Sequence, residues 1–225
     1  MFIEDPKMSK NSVFVGLFGS GKTEVAINFA LKLKSAGRRV AIADIDIVSP
    51  YFRTRDARSL LEKRGLTVIT PPRQLMKADL PIITASVAGY LSNASYDVVL
   101  DVGGEESGIV VLGYLEEHLK DADFYFVVNT RRPFTTDVEG IVSSIDRLRS
   151  HARIEIDFLV NNANTGDETT PKIVKEGEEI LKEVSNLMKI PVAFSVVKKD
   201  LKVNDTVFPI FRIERFMTLD KEVER

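Results

Sequence analysis

The sequence of 225 residues contains no cysteine, only two histidines and almost no net charge. Without cysteine, the chain can form no disulfide, no thiolate-ligated zinc or iron-sulfur site and no thiol nucleophile. His118 and His151 lie far apart in sequence, so they are poor candidates for a metal cluster. The formal net charge of -2 gives no overall attraction to nucleic acid or to an anionic membrane. These absences exclude thiol chemistry and lead us to expect no nucleic-acid partner.

Long apolar runs are absent as well. No stretch approaches the roughly 18 residues needed to span a bilayer, and residues 1–10 lack the apolar centre of a signal peptide. We therefore expect a cytoplasmic protein without stable membrane attachment. With 225 residues and 44% hydrophobic content, the chain is long enough to bury a core. We predict a single domain over residues 1–225.

Short apolar runs rich in β-branched residues alternate with longer segments of helical spacing. The predicted strands are 13–15, 39–43, 96–100, 124–128, 156–160 and 192–197. Apolar residues recur at helical spacing in 25–33, 138–148 and 173–187. Strands that alternate with helices imply right-handed crossovers. We therefore predict an α/β fold with a mostly parallel central sheet, helices on both faces, and ligands beyond the carboxyl ends of the strands.

Residues 16–23 match the P-loop pattern G-x-x-x-x-G-K-[ST], between a predicted strand and a predicted helix. This context predicts the three-layer sandwich of P-loop NTPases. The residues predicted to bind the nucleotide are Gly16, Gly19, Ser20, Gly21, Lys22, Thr23 and Glu24. Glycines let backbone N–H groups face the phosphates, and the start of the helix adds a positive dipole. Lys22 would reach the terminal phosphates as a catalytic residue, and the Thr23 hydroxyl would ligate Mg²⁺.

Aspartates follow two of the predicted strands. Asp44 and Asp46 come at the end of strand 39–43, where one could hold a Mg²⁺ water and the other could orient an attacking water. A helix N-cap or a loop ion pair is the alternative for this pair. Asp101 ends strand 96–100 and precedes two glycines, which allow the backbone to approach a γ-phosphate closely. This third element is similar to a Walker B motif.

Together these elements resemble the MinD/ParA group of P-loop ATPases, the CobQ/CobB/MinD/ParA nucleotide-binding proteins of the SIMIBI class. The resemblance rests on the P-loop, on the sequence Asp44-Ile45-Asp46, on residues 101–108 and on residues 161–165 after a late strand. These elements occur in the order found in the family. Members of this group are ATPases, so the resemblance implies that the chain binds and hydrolyses ATP.

The resemblance also implies roles for individual residues. Asp46 would activate the hydrolytic water. Asp44 and Asp101 would organise Mg²⁺ together with Thr23, and Asn161 would contact adenine. The asparagines that follow this late strand could instead serve turn chemistry.

One departure from the family concerns Leu17. The family has a signature lysine at this position, which reaches across a dimer to the partner's phosphates, whereas leucine has no charge. The leading hypothesis is therefore a slow or partner-activated ATPase acting as a molecular switch, with a homodimer left open. In this switch, residues 47–55 and 102–108 would change order with the γ-phosphate. Arg131 and Arg132, after another strand, could supply substitute positive charge, but we interpret them as a solvated basic loop.

Two other functions stay open at this point. One is a nucleotide-binding regulatory module without hydrolysis. The other is an ATP-dependent small-molecule kinase or ligase, in which residues 49–53 and Arg73 would contact an acceptor. The absence of a guanine-specific Asn-Lys-x-Asp motif favours ATP over GTP. The expected ligands are thus ATP, ADP and Mg²⁺, and the expected macromolecular partner is another protein.

The chain near residues 207–213 is apolar but contains a proline. Because proline interrupts a helix, this segment does not form the amphipathic helix that would bind a membrane. We interpret it as a docking segment.

Overall fold

The computed structural model describes residues 9–45, 58–69, 85–103 and 106–216. The strands of these residues are β1 (Asn11–Val15), β2 (Val40–Asp44), β3 (Thr67–Ile69), β4 (Asp97–Asp101), β5 (Asp123–Val128), β6 (Phe158–Asn161), β7 (Val192–Lys198) and β8 (Ile210–Ile213). Their α-helices are α1 (Lys22–Ser35), α2 (Arg58–Lys63), α3 (Ala85–Leu91), α4 (Glu106–Leu115), α5 (Val138–Ala152) and α6 (Pro171–Met188). All six predicted strands and all three predicted helices are present, with small shifts of their ends.

All eight of these strands join one sheet in the order β3-β2-β4-β1-β5-β6-β7-β8. Every neighbouring pair is parallel. The chain builds one half of the sheet from β1 to β4 and then crosses to build the other half from β5. This reversal leaves a crevice at the carboxyl end of β1, where ligands of such sheets bind. The predicted α/β fold with a parallel sheet is confirmed.

Helices cover both faces of the sheet because successive residues of a strand point to opposite sides. Phe14 of β1 and Tyr125 of β5 are stacked, with ring centroids 4.9 Å apart, and Phe14 contacts Phe29 of α1 at 5.1 Å. Val13 and Val15 belong to the cluster on the opposite face, which includes residues of α4, α5 and α6. The three-layer arrangement is thus confirmed.

The ends of α5 and α6 follow from capping residues. The Asp137 carboxylate accepts a hydrogen bond from Gly140 N at 2.8 Å before α5. The Thr170 side chain caps α6, whose first residue is Pro171, the position at which proline fits a helix. Among the described residues, no helix combines the length and the apolar character needed to cross a membrane.

The two edge strands, β3 and β8, are missing from the sequence prediction. Residues 210–213, interpreted above as part of a docking segment, instead pair with β7, and Ser195 N donates to Pro209 O at 2.8 Å. Pro209 therefore lies directly before an edge strand, where a missing N–H is tolerated. This corrects the docking interpretation for these residues.

Candidate functional site

The loop between β1 and α1 has the backbone conformation that a phosphate cradle needs. Ser20 N donates to Leu17 O at 3.0 Å, which closes a turn. Gly19 and Gly21 have φ angles of 78° and 83°, in the left-handed region that favours glycine. Gly21 is the N-cap of α1, so the loop lies at the positive end of the helix dipole.

Two glycines of the loop have no room for a side chain. A Cβ on Gly16 would lie 2.6 Å from the carbonyl oxygen of Val127 in β5. A Cβ on Gly21 would overlap the amide of Asn162, which donates to Ser20 O at 2.7 Å. The loop is therefore held between β5 and the chain after β6. Sequence reasoning did not assign Asn162 to the site, and its only signal is its position two residues after a predicted strand.

Thr23 and Asp101 meet beneath the loop. Thr23 Oγ1 donates to Asp101 Oδ2 at 2.7 Å, and both side chains are buried. Lys22, which begins α1, is also buried. The strand-end carboxylate thus contacts the first turn of the helix that follows the cradle.

Asp44 brings a second carboxylate to the same edge of the sheet. Asp44 ends β2 and pairs in register with Asp101, and Ile45 N donates to Asp101 O at 3.0 Å. Asp44 is buried like its neighbour. A hydroxyl and two carboxylates are the hard oxygen ligands that suit Mg²⁺. The structure therefore brings together the predicted metal ligands, whereas Asp46 lies outside the described residues.

Asn161 lies at the end of β6 and is completely buried. Its Nδ2 donates to Val174 O and to Ser195 Oγ, each at 3.1 Å, and its Oδ1 accepts from Ala163 N at 3.2 Å. No atom of this side chain is exposed to a ligand. The arrangement corrects the predicted contact with adenine, because the amide joins β6 to α6 and β7 instead.

Replacing Asn161 by alanine is expected to destabilise the protein by about 2–3 kcal/mol, because it leaves buried polar partners unsatisfied. Urea unfolding measures this change. Asn186→Ala, at an exposed position of α6, is the matched control and should change stability by less than about 0.5 kcal/mol. The ratio of the affinities for ATP and GTP should be the same in both variants. A changed ratio without a loss of stability would return Asn161 to the base site.

Glu24, also predicted to bind the nucleotide, has its carboxylate engaged by the chain after β8. The carboxylate accepts from Phe216 N at 2.9 and 3.0 Å. One turn further along α1, Asn28 exchanges hydrogen bonds with the backbone of Glu214 at 2.8 and 2.9 Å. Glu24 can therefore contribute to phosphate binding through its backbone N–H, which lies in the first turn of α1 and can donate a hydrogen bond to a phosphate oxygen.

The model of the CobQ/CobB/MinD/ParA nucleotide-binding domain matches residues 18–207 of the chain. The protein belongs to this family. The resemblance inferred from the P-loop and the strand-end aspartates is thereby confirmed. The CobQ/CobB/MinD/ParA family is defined by a nucleotide-binding domain, so membership supports nucleotide binding by this protein. No curated protein matches the sequence significantly.

Solved structures share the fold of this CobQ/CobB/MinD/ParA protein. Cell division protein FtsY from Thermotoga maritima matches with a TM-score of 0.55 and 19% identity, covering 89% of this chain and 66% of that chain. Signal recognition particle receptor FtsY from Elizabethkingia anophelis, in complex with GDP, has a TM-score of 0.55 and 19% identity, with 91% and 66% coverage. The signal recognition particle 54 kDa protein from Aeropyrum pernix, also with GDP, has a TM-score of 0.53 and 16% identity, with 84% and 42% coverage.

These similarities establish the fold alone, because the identities are low. The chain also spans less than two thirds of the length of each of these three proteins.

Proposed function

We propose that the protein is a Mg²⁺-dependent ATPase that hydrolyses slowly or on activation by a protein partner, and that it acts as a molecular switch in the cytoplasm. The observation that carries this proposal is the hydrogen bond from Thr23 to Asp101 beneath a P-loop, at 2.7 Å. It joins the start of the phosphate-binding helix to the end of a central strand. Phosphate and metal ligands therefore come from rigid elements, which favours precise positioning.

Each residue of the site has a chemical duty in this proposal. The loop N–H groups and Lys22 bind the phosphates. Thr23, Asp44 and Asp101 would hold Mg²⁺, which when bound neutralises charge on the β- and γ-phosphates. Asp46, two residues beyond the end of β2, would accept a hydrogen bond from the attacking water and orient it.

The choice of ATP is supported by the chain after β6. Guanine-specific sites use a carboxylate in an Asn-Lys-x-Asp motif, which this sequence lacks. Asp167, the first carboxylate after β6, accepts hydrogen bonds from Lys198 at 2.6 Å and from Arg215 at 2.9 Å. These bonds, above all that from Lys198, lower the pKa of Asp167. Both cations bind the same carboxylate oxygen, Oδ1, which disfavours a second role of this carboxylate as a guanine acceptor.

The test is phosphate release from ATP and from GTP in the presence of Mg²⁺. We expect kcat/KM to favour ATP by at least about tenfold, because a site shaped for one base leaves polar groups of the other unpaired. Asp46→Asn should lower kcat about a hundredfold or more and change ATP affinity little, since a general base acts mainly in the transition state. Asp121→Asn, at an exposed turn before β5, is the control and should behave like the wild type.

The other outcomes identify the competing functions. Turnover selective for GTP would favour the guanine alternative suggested by the GDP complexes. Tight ATP binding without phosphate release would favour a regulatory module. Phosphate transfer that requires an added small molecule would favour a kinase or ligase.

A further inference from the structure

Arg132 lies against the phosphate loop. A Cβ on Gly19 would be 3.1 Å from Nε of Arg132 and 3.3 Å from its Cδ. The guanidinium end of this side chain therefore neighbours the middle of the P-loop, although residue 132 is exposed and lies far from the loop in sequence. Its exposure agrees with a solvated basic loop, whereas its proximity to Gly19 agrees with the alternative, a positive charge beside the phosphates.

The turn that carries Arg132 is braced on both sides. Thr135 Oγ1 donates to Asn129 O at 2.9 Å, and Arg132 N donates to the same oxygen at 3.0 Å. Asn129 Oδ1 accepts from Arg131 N at 3.0 Å and from Asn164 N at 3.1 Å. The backbone position of Arg132 is thus set by the fold. A side chain on a fixed backbone loses less conformational entropy when it binds a phosphate than one on a mobile loop.

The two neighbouring arginines have different partners. The Arg131 guanidinium forms an ion pair with Glu176 of α6. No hydrogen bond or ion pair to another described residue engages the Arg132 guanidinium. Arg131 is therefore largely neutralised by α6, whereas Arg132 presents its charge beside Gly19.

The charge of the P-loop explains why this position matters. Position 17 of the loop is leucine, where the family has a lysine. Within residues 16–23, the positively charged side chain is that of Lys22. A nucleoside triphosphate brings several negative charges into this space. The planar guanidinium group binds phosphate oxygens in a bidentate manner that lysine cannot reproduce. An arginine supplied from the same chain stabilises the charge of a phosphoryl-transfer transition state.

We propose that Arg132 contacts the terminal phosphate of the bound nucleotide and is a catalytic residue of the hydrolysis. This inference rests on the proposed function. In the reaction, the oxygen of water bonds to the γ-phosphorus while the bond from phosphorus to the β,γ-bridging oxygen breaks. ADP leaves with the electron pair of that bond, and a proton of the water passes to Asp46 or to solvent. Arg132 binds the γ-phosphoryl oxygens throughout.

The experiment compares Arg132→Ala with Arg131→Ala in the full chain. Calorimetry measures binding of ADP and of the β,γ-imido analogue of ATP, both with Mg²⁺. Arg132→Ala should weaken binding of the analogue about tenfold and of ADP less than about twofold, because only the analogue carries the third phosphate. It should also lower kcat for ATP about a hundredfold or more. Arg132→Lys should recover part of the analogue's affinity and little of the turnover.

Arg131→Ala is the matched control, since it removes an adjacent arginine that pairs with α6. It should stay within about twofold of the wild type in both assays. Equal behaviour of Arg132→Ala and Arg131→Ala would overturn the role of Arg132. If the wild type binds the nucleotides but shows no turnover, the binding assay alone tests the role of Arg132. Equal losses of affinity for ADP and for the analogue in Arg132→Ala would then overturn it. Failure of the wild type to bind either nucleotide would instead overturn the proposed function, and this inference with it.

Discussion

Lys22→Ala is expected to abolish measurable ATP binding, with a loss of affinity of at least about a hundredfold. The lysine begins α1 and is buried directly after the glycine cap. Charge-assisted hydrogen bonds to phosphate contribute about 1.5–3 kcal/mol each, so the loss of two such bonds exceeds a factor of one hundred. Calorimetry with ATP and Mg²⁺ measures the effect directly.

Lys32→Ala is the control for Lys22→Ala. Lys32 lies in the last turn of the same helix and is exposed, so its removal should leave ATP affinity unchanged. Circular dichroism and the unfolding midpoint of both variants separate a binding defect from a folding defect. A folded Lys22→Ala protein that retains wild-type affinity would show that the P-loop is not the nucleotide site.

Asp101→Asn is expected to remove the dependence of ATP binding on Mg²⁺ and to lower turnover by at least about a hundredfold, because it deletes a charge that would hold the metal in the proposed site. Asparagine has nearly the same shape as aspartate and can still accept the Thr23 hydroxyl hydrogen bond. The variant should therefore fold. The measurement is ATP affinity with Mg²⁺ and with a chelator, together with phosphate release.

Asp97→Asn provides a matched comparison from the same strand. Asp97 is the first residue of β4, at the end of the strand opposite to Asp101, and forms an ion pair with Arg38. Its substitution should lower stability but leave the effect of Mg²⁺ on ATP binding intact. If Asp101→Asn kept both the full effect of Mg²⁺ and wild-type turnover, the proposed metal site would be incorrect.

The central part of the fold could be predicted from sequence because its elements are long and their periodicity is clear. The strands beside β1 are buried on both faces, so they appear as continuous apolar runs. The edge strand β3 has only three residues, too few to establish a pattern of alternation. The short helices α2 and α3 have the same difficulty, with six and seven residues.

The parts of the candidate site that belong to a local sequence motif could be predicted. The parts that depend on which of two adjacent, chemically identical residues faces the site could not. The P-loop and the strand-end aspartates carry their spacing in the sequence. Asn161 and Asn162 have the same chemistry, yet one is buried between elements and the other contacts the P-loop. Consecutive residues at a strand end point in opposite directions, so composition cannot select between them. Arg131 and Arg132 are likewise identical in chemistry. The conformation of the turn after β5 directs Arg131 to Glu176 and Arg132 to Gly19.

The central position of β1 also determines when the protein can fold during synthesis. β1 lies between β4 and β5, so its second edge stays unpaired until the ribosome has released residue 128. Contacts of such long sequence separation slow folding. Asn162, whose amide donates a hydrogen bond to Ser20 O, is synthesised later still. A nascent chain that ends before this residue would carry the whole P-loop motif and still lack the support that shapes it.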